Sequence, residues 1–345
     1  MSSQTATGPL VTIAVPLHKR LHFLPDVLRS VAAQDYPEVE LLISDNGLNG
    51  PELRELVEAH YPRPYAFRRN EVIEEVMSQH FNQLVEAASG KYFVLLCDDD
   101  EIGPKFVSNM VAVLESDPEL GVAIPDVELM NEAGQPLSGE DVARLPYARP
   151  ELKQLPPATF SGEEFVRMWV GSRHRFTVFV TTMARTAEIR AVGGYPLMPT
   201  GDDDAVVLKL SLGRKAAFCK DAVFRWRVYE ASGGLVISPW VLAADIKRWL
   251  VFLDSDPVLK EYATAHPEEW LEIRELMRHK AWGTYRHRWK GYYRERLSRL
   301  EWLRAGFAMP FIPEYYGWLS RYLLRLGLSY PKRMVRTLVR GHSAT

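Results

Sequence analysis

Cysteine is scarce in this sequence: 345 residues contain only Cys97 and Cys219, each in an apolar run. Two isolated thiols make no disulfide framework, so a reducing compartment is expected. The N-terminus lacks a basic segment followed by an apolar one, so no secretory leader is expected. No apolar run approaches the roughly 18 residues that cross a bilayer, and no internal repeat appears. Charge of either sign is nearly balanced, at −2 overall, but the balance hides an asymmetry. From Leu271 onward sixteen Lys/Arg face five Asp/Glu, which leaves the preceding body with 26 against 39. An acidic body with a basic tail points to an anionic surface as one partner.

What is present is an alternation of apolar runs and amphipathic stretches. Leu10–Pro16 reads as a strand covered on both faces, and Phe23–Gln34 carries Leu24, Val27, Leu28 and Val31 at helical spacing. Val39–Ser44 is a second strand, Pro51–Ala59 a helix, and Val76–Ala88 a third helix with Gly90 expected as its C-cap. Tyr92–Cys97 is a further strand. A helix over Phe106–Ser116, strands over Gly121–Pro125 and Phe176–Ala184, a helix over Ala205–Leu212 and short strands at Ala216–Cys219 and Val223–Trp226 follow. This order predicts an α/β layered fold with a mixed, mostly parallel sheet flanked by helices. After Pro239 the pattern turns helical. The expected division is a catalytic domain over 1–236, with halves at about 10–105 and 106–236, and a C-terminal helical extension over 237–345.

Chemistry enters at Leu95-Leu96-Cys97-Asp98-Asp99-Asp100-Glu101, where four acids follow a buried strand. Side-by-side carboxylates repel unless a cation sits among them, and Mg²⁺ or Mn²⁺ takes oxygen ligands shared with a phosphate-bearing substrate. The bland reading is an acidic turn capping the next helix. A second acidic tract, Gly201-Asp202-Asp203-Asp204, enters a helix; there a carboxylate either caps the helix or acts as a general base on a hydroxyl. Ligands of open α/β sheets bind beyond the carboxyl ends of strands, where Asp45 and Asp98 lie.

With these residues in place, the chain resembles the family 2 glycosyltransferases of GT-A fold over about residues 10–232. Val11–Pro16 is similar to the family's opening strand. Ser30-Val31-Ala32-Ala33-Gln34-Asp35-Tyr36-Pro37 with Leu42–Gly47, then Asn82, Gly90-Lys91-Tyr92 and Asp98-Asp99-Asp100, and finally Gly193-Gly194-Tyr195 with Asp202-Asp203 and Lys209-Leu210, look like its later motifs in register. The resemblance implies an inverting enzyme that moves one sugar from a nucleoside-diphosphate sugar, a UDP-sugar above others, to a hydroxyl acceptor in surface polysaccharide or glycolipid synthesis. It implies Pro16, His18, Asp45, Asn82, Asp98 and Asp99 around the donor, Asp98 and Asp100 on Mn²⁺ or Mg²⁺, and Asp203 as the base.

The sequence also departs from the family. Asp202-Asp203 replaces the usual Glu-Asp pair, and Tyr229 stands where a metal-binding His is common. A phenol is a poor ligand for Mg²⁺. Arg227 suits a diphosphate or a sheet-edge ion pair equally. The motif of processive synthases is not met, since Ala222 precedes Arg225-Trp226.

In the tail, Tyr315–Leu326 and Lys332–Arg340 read as amphipathic basic helices. They either dock on an anionic leaflet, which makes the protein cytoplasmic and peripheral at the inner face of the membrane, or pack on the catalytic domain or a second subunit as a homodimer. Nucleic acid is not expected as a partner, because the acidic body repels a phosphate chain. Two rival functions remain. A sugar nucleotidyltransferase would carry a glycine-rich phosphate loop, whereas Val15 is followed by Pro16-Leu17-His18-Lys19-Arg20. An inactive nucleotide- or carbohydrate-binding module would have no use for both acidic tracts.

Overall fold

The computed structural model describes residues 8–47, 49–138, 140, 158–171, 181–198, 201–229, 239–290, 298 and 301. Its strands are β1 Val11–Leu17, β2 Val39–Asp45, β3 Ala66–Arg69, β4 Tyr92–Leu95, β5 Glu101–Ile102, β6 Leu120–Met130, β7 Ala158–Ser161, β8 Met183–Arg185 and β9 Lys215–Arg227. The helices are α1 Leu24–Ala32, α2 Glu52–His60, α3 Met77–Ala87, α4 Phe106–Ser116, α5 Gly162–Gly171, α6 Thr186–Ala191, α7 Asp202–Ser211, α8 Pro239–Ser255, α9 Pro257–Ala265 and α10 Pro267–Lys290.

The strands join in one sheet of order β3-β2-β1-β4-β8-β6-β9-β5, with β7 also on β9. β3, β2, β1 and β4 run parallel, β8 opposes β4 and β6, and β9 runs parallel to β6. The sheet is thus mixed and mostly parallel, as the alternation of elements required. Both faces are covered because strand side chains alternate. Val11, Ile13, Val15, Tyr92 and Val94 meet α1, α2 and α4 on one face. Ala14, Phe93 and Leu95 face the other core, built from α3, α5, α7 and residues of α8–α10.

Several boundaries moved. The two short strands expected near 216–226 are one strand, β9, which follows β6 through register shifts between Leu120 and Val122 and between Pro125 and Asp126. A bulge lets one strand bend rather than break. α7 begins at Asp202, three residues earlier than expected, so the whole acidic tract lies in its first turn. Gly90 does not cap α3, which ends at Ala88 in extended backbone. It serves close approach instead, because a Cβ there would lie 2.5 Å from the Thr12 backbone nitrogen on β1.

The described helices of the C-terminal extension share the core of α3, α5 and α7. Trp249, Phe252, Leu259, Tyr262, Ile273 and Met277 lie in the same cluster as the residues of α5 and α7, and Trp270 packs against it. Asp256 caps α9 by accepting the backbone N–H groups of Val258 and Leu259 at 3.0 and 3.3 Å. No helix among the described residues is long and apolar enough to cross a membrane. The two amphipathic tail helices expected at 315–326 and 332–340 lie outside the described residues, as does most of the strand expected from Phe176.

Candidate active site

The strand ends of β1, β2 and β4 lie side by side, because Leu17 is in register with Asp45 and Ala14 with Leu95. Asp45 is fully buried at the end of β2. Its Oδ1 accepts from Asn49 and its Oδ2 from the Arg69 guanidinium, both at 2.8 Å. Asn49 also donates to the His18 carbonyl at 3.0 Å, which ties the loop after β1 to Asp45. Pro16 lies inside β1 opposite Ser44, and the Ser44 hydroxyl meets His80 Nε2 at 2.8 Å. His80 is completely enclosed; burial, then Arg68, lower its pKa to about 4, so it is neutral at physiological pH. His18 is likewise lowered by burial and Lys19. The Nδ1 atoms of both have no partner among the described residues.

Just beyond β4, Asp98, Asp99 and Asp100 are all buried. Asp98 turns toward the loop after β1: its Oδ2 accepts the His18 backbone N–H at 3.2 Å, and its Oδ1 lies 2.5 Å from Arg20 Nη2. Asp99 pairs with the same guanidinium and accepts from the Tyr229 hydroxyl at 3.1 Å. Asp100 accepts the Arg227 backbone N–H at 2.9 Å. Burial raises the pKa of Asp99, although Arg20 opposes it. Burial and the neighbouring Asp99 raise that of Asp100 further. This stretch therefore carries more negative charge than one guanidinium balances.

The donor set fits a hard divalent cation. Oxygens of Asp99 and Asp100 lie with Cys97 Sγ within 4.8 Å of one another. Burial holds the thiol protonated, which leaves the carboxylates as the ligands suited to such an ion. The carboxylates grouped there are those of Asp99 and Asp100; Asp98, expected as a ligand beside Asp100, pairs with Arg20 as Asp99 does and also accepts the His18 backbone N–H.

Arg227 adopts the ion-pair alternative. Its side chain is 0% exposed, and its donors go to the Asp99 and Glu132 carbonyls and to the carboxylates of Glu101 and Asp26 at 2.7 to 3.1 Å. The guanidinium also lies 4.6 Å from the centroid of the Phe23 ring. Asn82 is similarly occupied. Its Nδ2 donates to the Tyr195 carbonyl and its Oδ1 accepts the Tyr195 N–H, both at 2.8 Å. That clamp fastens α3 to the Gly193-Gly194-Tyr195 turn. Gly194 has φ +66°, and a Cβ there would come within 2.3 Å of Asn82 Oδ1, so glycine is required.

The clamp of Tyr195 with Asn82 is a role the sequence reading missed. Burial foremost, then Asp202, Asp203 and Cys97, raise its phenol pKa. Asp202 is buried, and burial foremost raises it to about 7; its Oδ2 has no hydrogen-bond partner among the described residues. Asp203 keeps partial contact with solvent, and its carboxyl is also raised well above the ordinary range, by burial and then by Asp204 and Asp202. Asp204 is paired with Lys280 of α10, whose ammonium lies 4.1 Å from the Trp169 ring centroid. Lys280 and the buried Asp245, on helices remote in sequence, were also missed. The grooves of about 540 and 620 Å³ beside Gln79 and Asn82 include neither acidic tract, so the carboxylates define the site.

The mixed, mostly parallel sheet flanked by helices is a GT-A-like fold. It aligns with the crystal structure of S. aureus TarS 1-349 at a TM-score of 0.60 and 14% identity, over 87% of this chain and 79% of that one. The same TarS segment in complex with UDP-GlcNAc aligns at 0.59 and 15% identity, over 87% and 82%. Residues 12–162 match the model of the family described as Glycosyl transferase family 2. A curated relative, the uncharacterized protein y4gI of Sinorhizobium fredii, is 31% identical over 134 residues. The match takes in 37% of this chain and only 14% of that protein.

Proposed function

We propose that this protein is an inverting glycosyltransferase that moves a single sugar from a nucleoside-diphosphate sugar, a UDP-sugar above others, to a hydroxyl of a glycan or lipid-linked acceptor in surface polysaccharide or glycolipid synthesis. The family match covers the half of the sheet that carries Asp45 and Asp98–Asp100, and the fold is shared with a protein crystallised with UDP-GlcNAc. What supports the reading is the set of buried acids at neighbouring strand ends, Asp45 closing β2 and Asp98, Asp99 and Asp100 just beyond β4.

In this reading Pro16, His18 and Asp45 line the pocket for the nucleoside, with Asn49 and Arg69 fixing the Asp45 carboxylate. Asp99 and Asp100 would hold Mn²⁺ or Mg²⁺. The bound ion supplies Lewis-acid stabilisation of the charge that grows on the departing diphosphate. Asp203, partly exposed and with a raised pKa, takes the proton of the acceptor hydroxyl. The acceptor oxygen forms its bond to the anomeric carbon from the face opposite the diphosphate. The sugar–phosphate bond breaks, and one displacement inverts the centre. Asn82 acts by fixing Tyr195 and the turn before α7, and Arg227 by fixing Asp100.

A thermal-shift panel of nucleoside-diphosphate sugars with and without Mn²⁺ tests the assignment. Stabilisation by one donor family only when Mn²⁺ is present is expected. A donor that binds equally well without the ion would remove the role given to Asp99 and Asp100.

A further inference from the structure

Arg20 belongs to none of the motifs that carry the family resemblance, yet its guanidinium sits on the carboxylates after β4. Nη2 lies 2.5 Å from Asp98 Oδ1, Nη1 pairs with Asp99, and Nη1 also donates to the Tyr229 hydroxyl at 3.1 Å. Tyr229 in turn donates to Asp99 at 3.1 Å and packs its ring 5.1 Å from that of Phe23. The loop after β1 is held to the same place by the His18 N–H on Asp98. Four groups from two parts of the chain, residues 18–23 and Tyr229, thus close over one acidic face, and the cation among them is an arginine whose side chain is 32% exposed.

We propose that Arg20 is a resident counter-cation of the Asp98–Asp99 pair, which a divalent ion must displace, and that it thereby sets the ion affinity of the free enzyme. The inference rests on the proposed function, since it takes Asp99 as an ion ligand. A doubly charged ion on Asp99 would lie within a few ångströms of that guanidinium, and like charges so close in a partly buried setting repel strongly. Arg20 has somewhere to go: it is already one-third exposed, and water or a donor diphosphate accepts a guanidinium readily. The position held by a metal-binding His in many family members is here Tyr229, which steadies Arg20 rather than adding an ion ligand. The arginine and the tyrosine form one latch.

The test is direct titration of Mn²⁺ into the full-length protein without nucleotide, with free Mn²⁺ read by electron paramagnetic resonance. Arg20→Gln is expected to bind Mn²⁺ at least about tenfold more tightly than wild type, because a unit charge leaves the ligand site. Arg20→Lys, which keeps the charge, is expected to stay near wild type. If Arg20 were only a structural tie, its loss would loosen the acids and leave affinity unchanged or weaker; either result overturns the proposal. Equal Mn²⁺ binding by wild type and Arg20→Gln refutes the role of Arg20 while leaving the ion site standing. Absence of binding in both refutes the ion site and the proposal with it. A second measurement needs no variant. Mn²⁺ is expected to speed modification of Arg20 by phenylglyoxal in the wild-type protein, followed by mass spectrometry, and an unchanged or slower rate overturns the displacement.

Discussion

Replacing Asp202 by asparagine is expected to stabilise the protein at pH 8, and to do so less as the pH falls. Asp202 opens α7 with 8% of its surface exposed, close to Asp203, Asp204 and Asp245. An aspartate carboxyl ordinarily titrates near 3.8, and burial, with Asp204 and Asp245 adding to it, raises this one to about 7. Because the folded value lies above the unfolded one, the native state binds more protons than the unfolded state between about pH 4 and pH 7. Stability from this group therefore falls as pH rises through that window, and the full cost is present above pH 7. At about 1.4 kcal/mol per pH unit, a displacement of about three units costs the native state about 4 kcal/mol. Asparagine keeps the shape and an acceptor oxygen for the backbone N–H groups but never ionises. Urea unfolding followed by tryptophan fluorescence at pH 5, 6.5 and 8 is expected to show the variant ahead by about 2–4 kcal/mol at pH 8 and by under about 2 kcal/mol at pH 5. A difference that stays constant with pH, or a variant less stable at pH 8, would refute the claim that α7 begins with a buried charge held at the expense of stability.

Asp203→Asn is expected to lower kcat at least about 100-fold while leaving the donor KM within about threefold, measured by release of nucleoside diphosphate; an unchanged kcat would move the base elsewhere. Lys280→Gln removes a positive charge that opposes the raised pKa of Asp203. The base must be ionised to work, so the acid limb of the kcat profile is expected to move to higher pH, with Lys280→Arg restoring it. Arg227→Met strips the partner from Glu101 and Asp26 inside the fold and is expected to cost about 3–5 kcal/mol in chemical denaturation. Gly194→Ala, at φ +66° and against Asn82, is expected to cost about 1–3 kcal/mol and to lower kcat through Tyr195.

The alternation of elements was legible because it is a local matter. Apolar runs of period two and stretches of period 3.6 mark strands and helices wherever they fall, and their order admits little but a layered, mostly parallel sheet. Asp45, Asp98–Asp100 and Asp202–Asp204 stood out for the same reason, as acids clustered at element ends. Boundaries were less legible. Whether 216–226 is two strands or one depends on β6, whose Leu120 lies opposite Lys215 and whose Met130 lies opposite Arg227.

What each side chain does was decided only in three dimensions. Asp98, Asp99 and Asp100 are equivalent as letters, but the loop after β1 claims the first through Arg20 and His18 N–H, and β9 claims the last through Arg227. Asn82, Arg227 and Gly90 carry motif-like positions, yet serve a turn, an ion network and a close strand approach. Lys280 and Asp245 had no local signal at all, and Tyr195 stood in a motif that gave no hint of its clamp with Asn82, because their partners lie on other elements. Local chemistry along a chain determines which segments pair and where charge accumulates. Which charge is neutralised, buried or left for a substrate is set by neighbours that only the folded chain brings within a few ångströms, where Coulomb and desolvation energies become large.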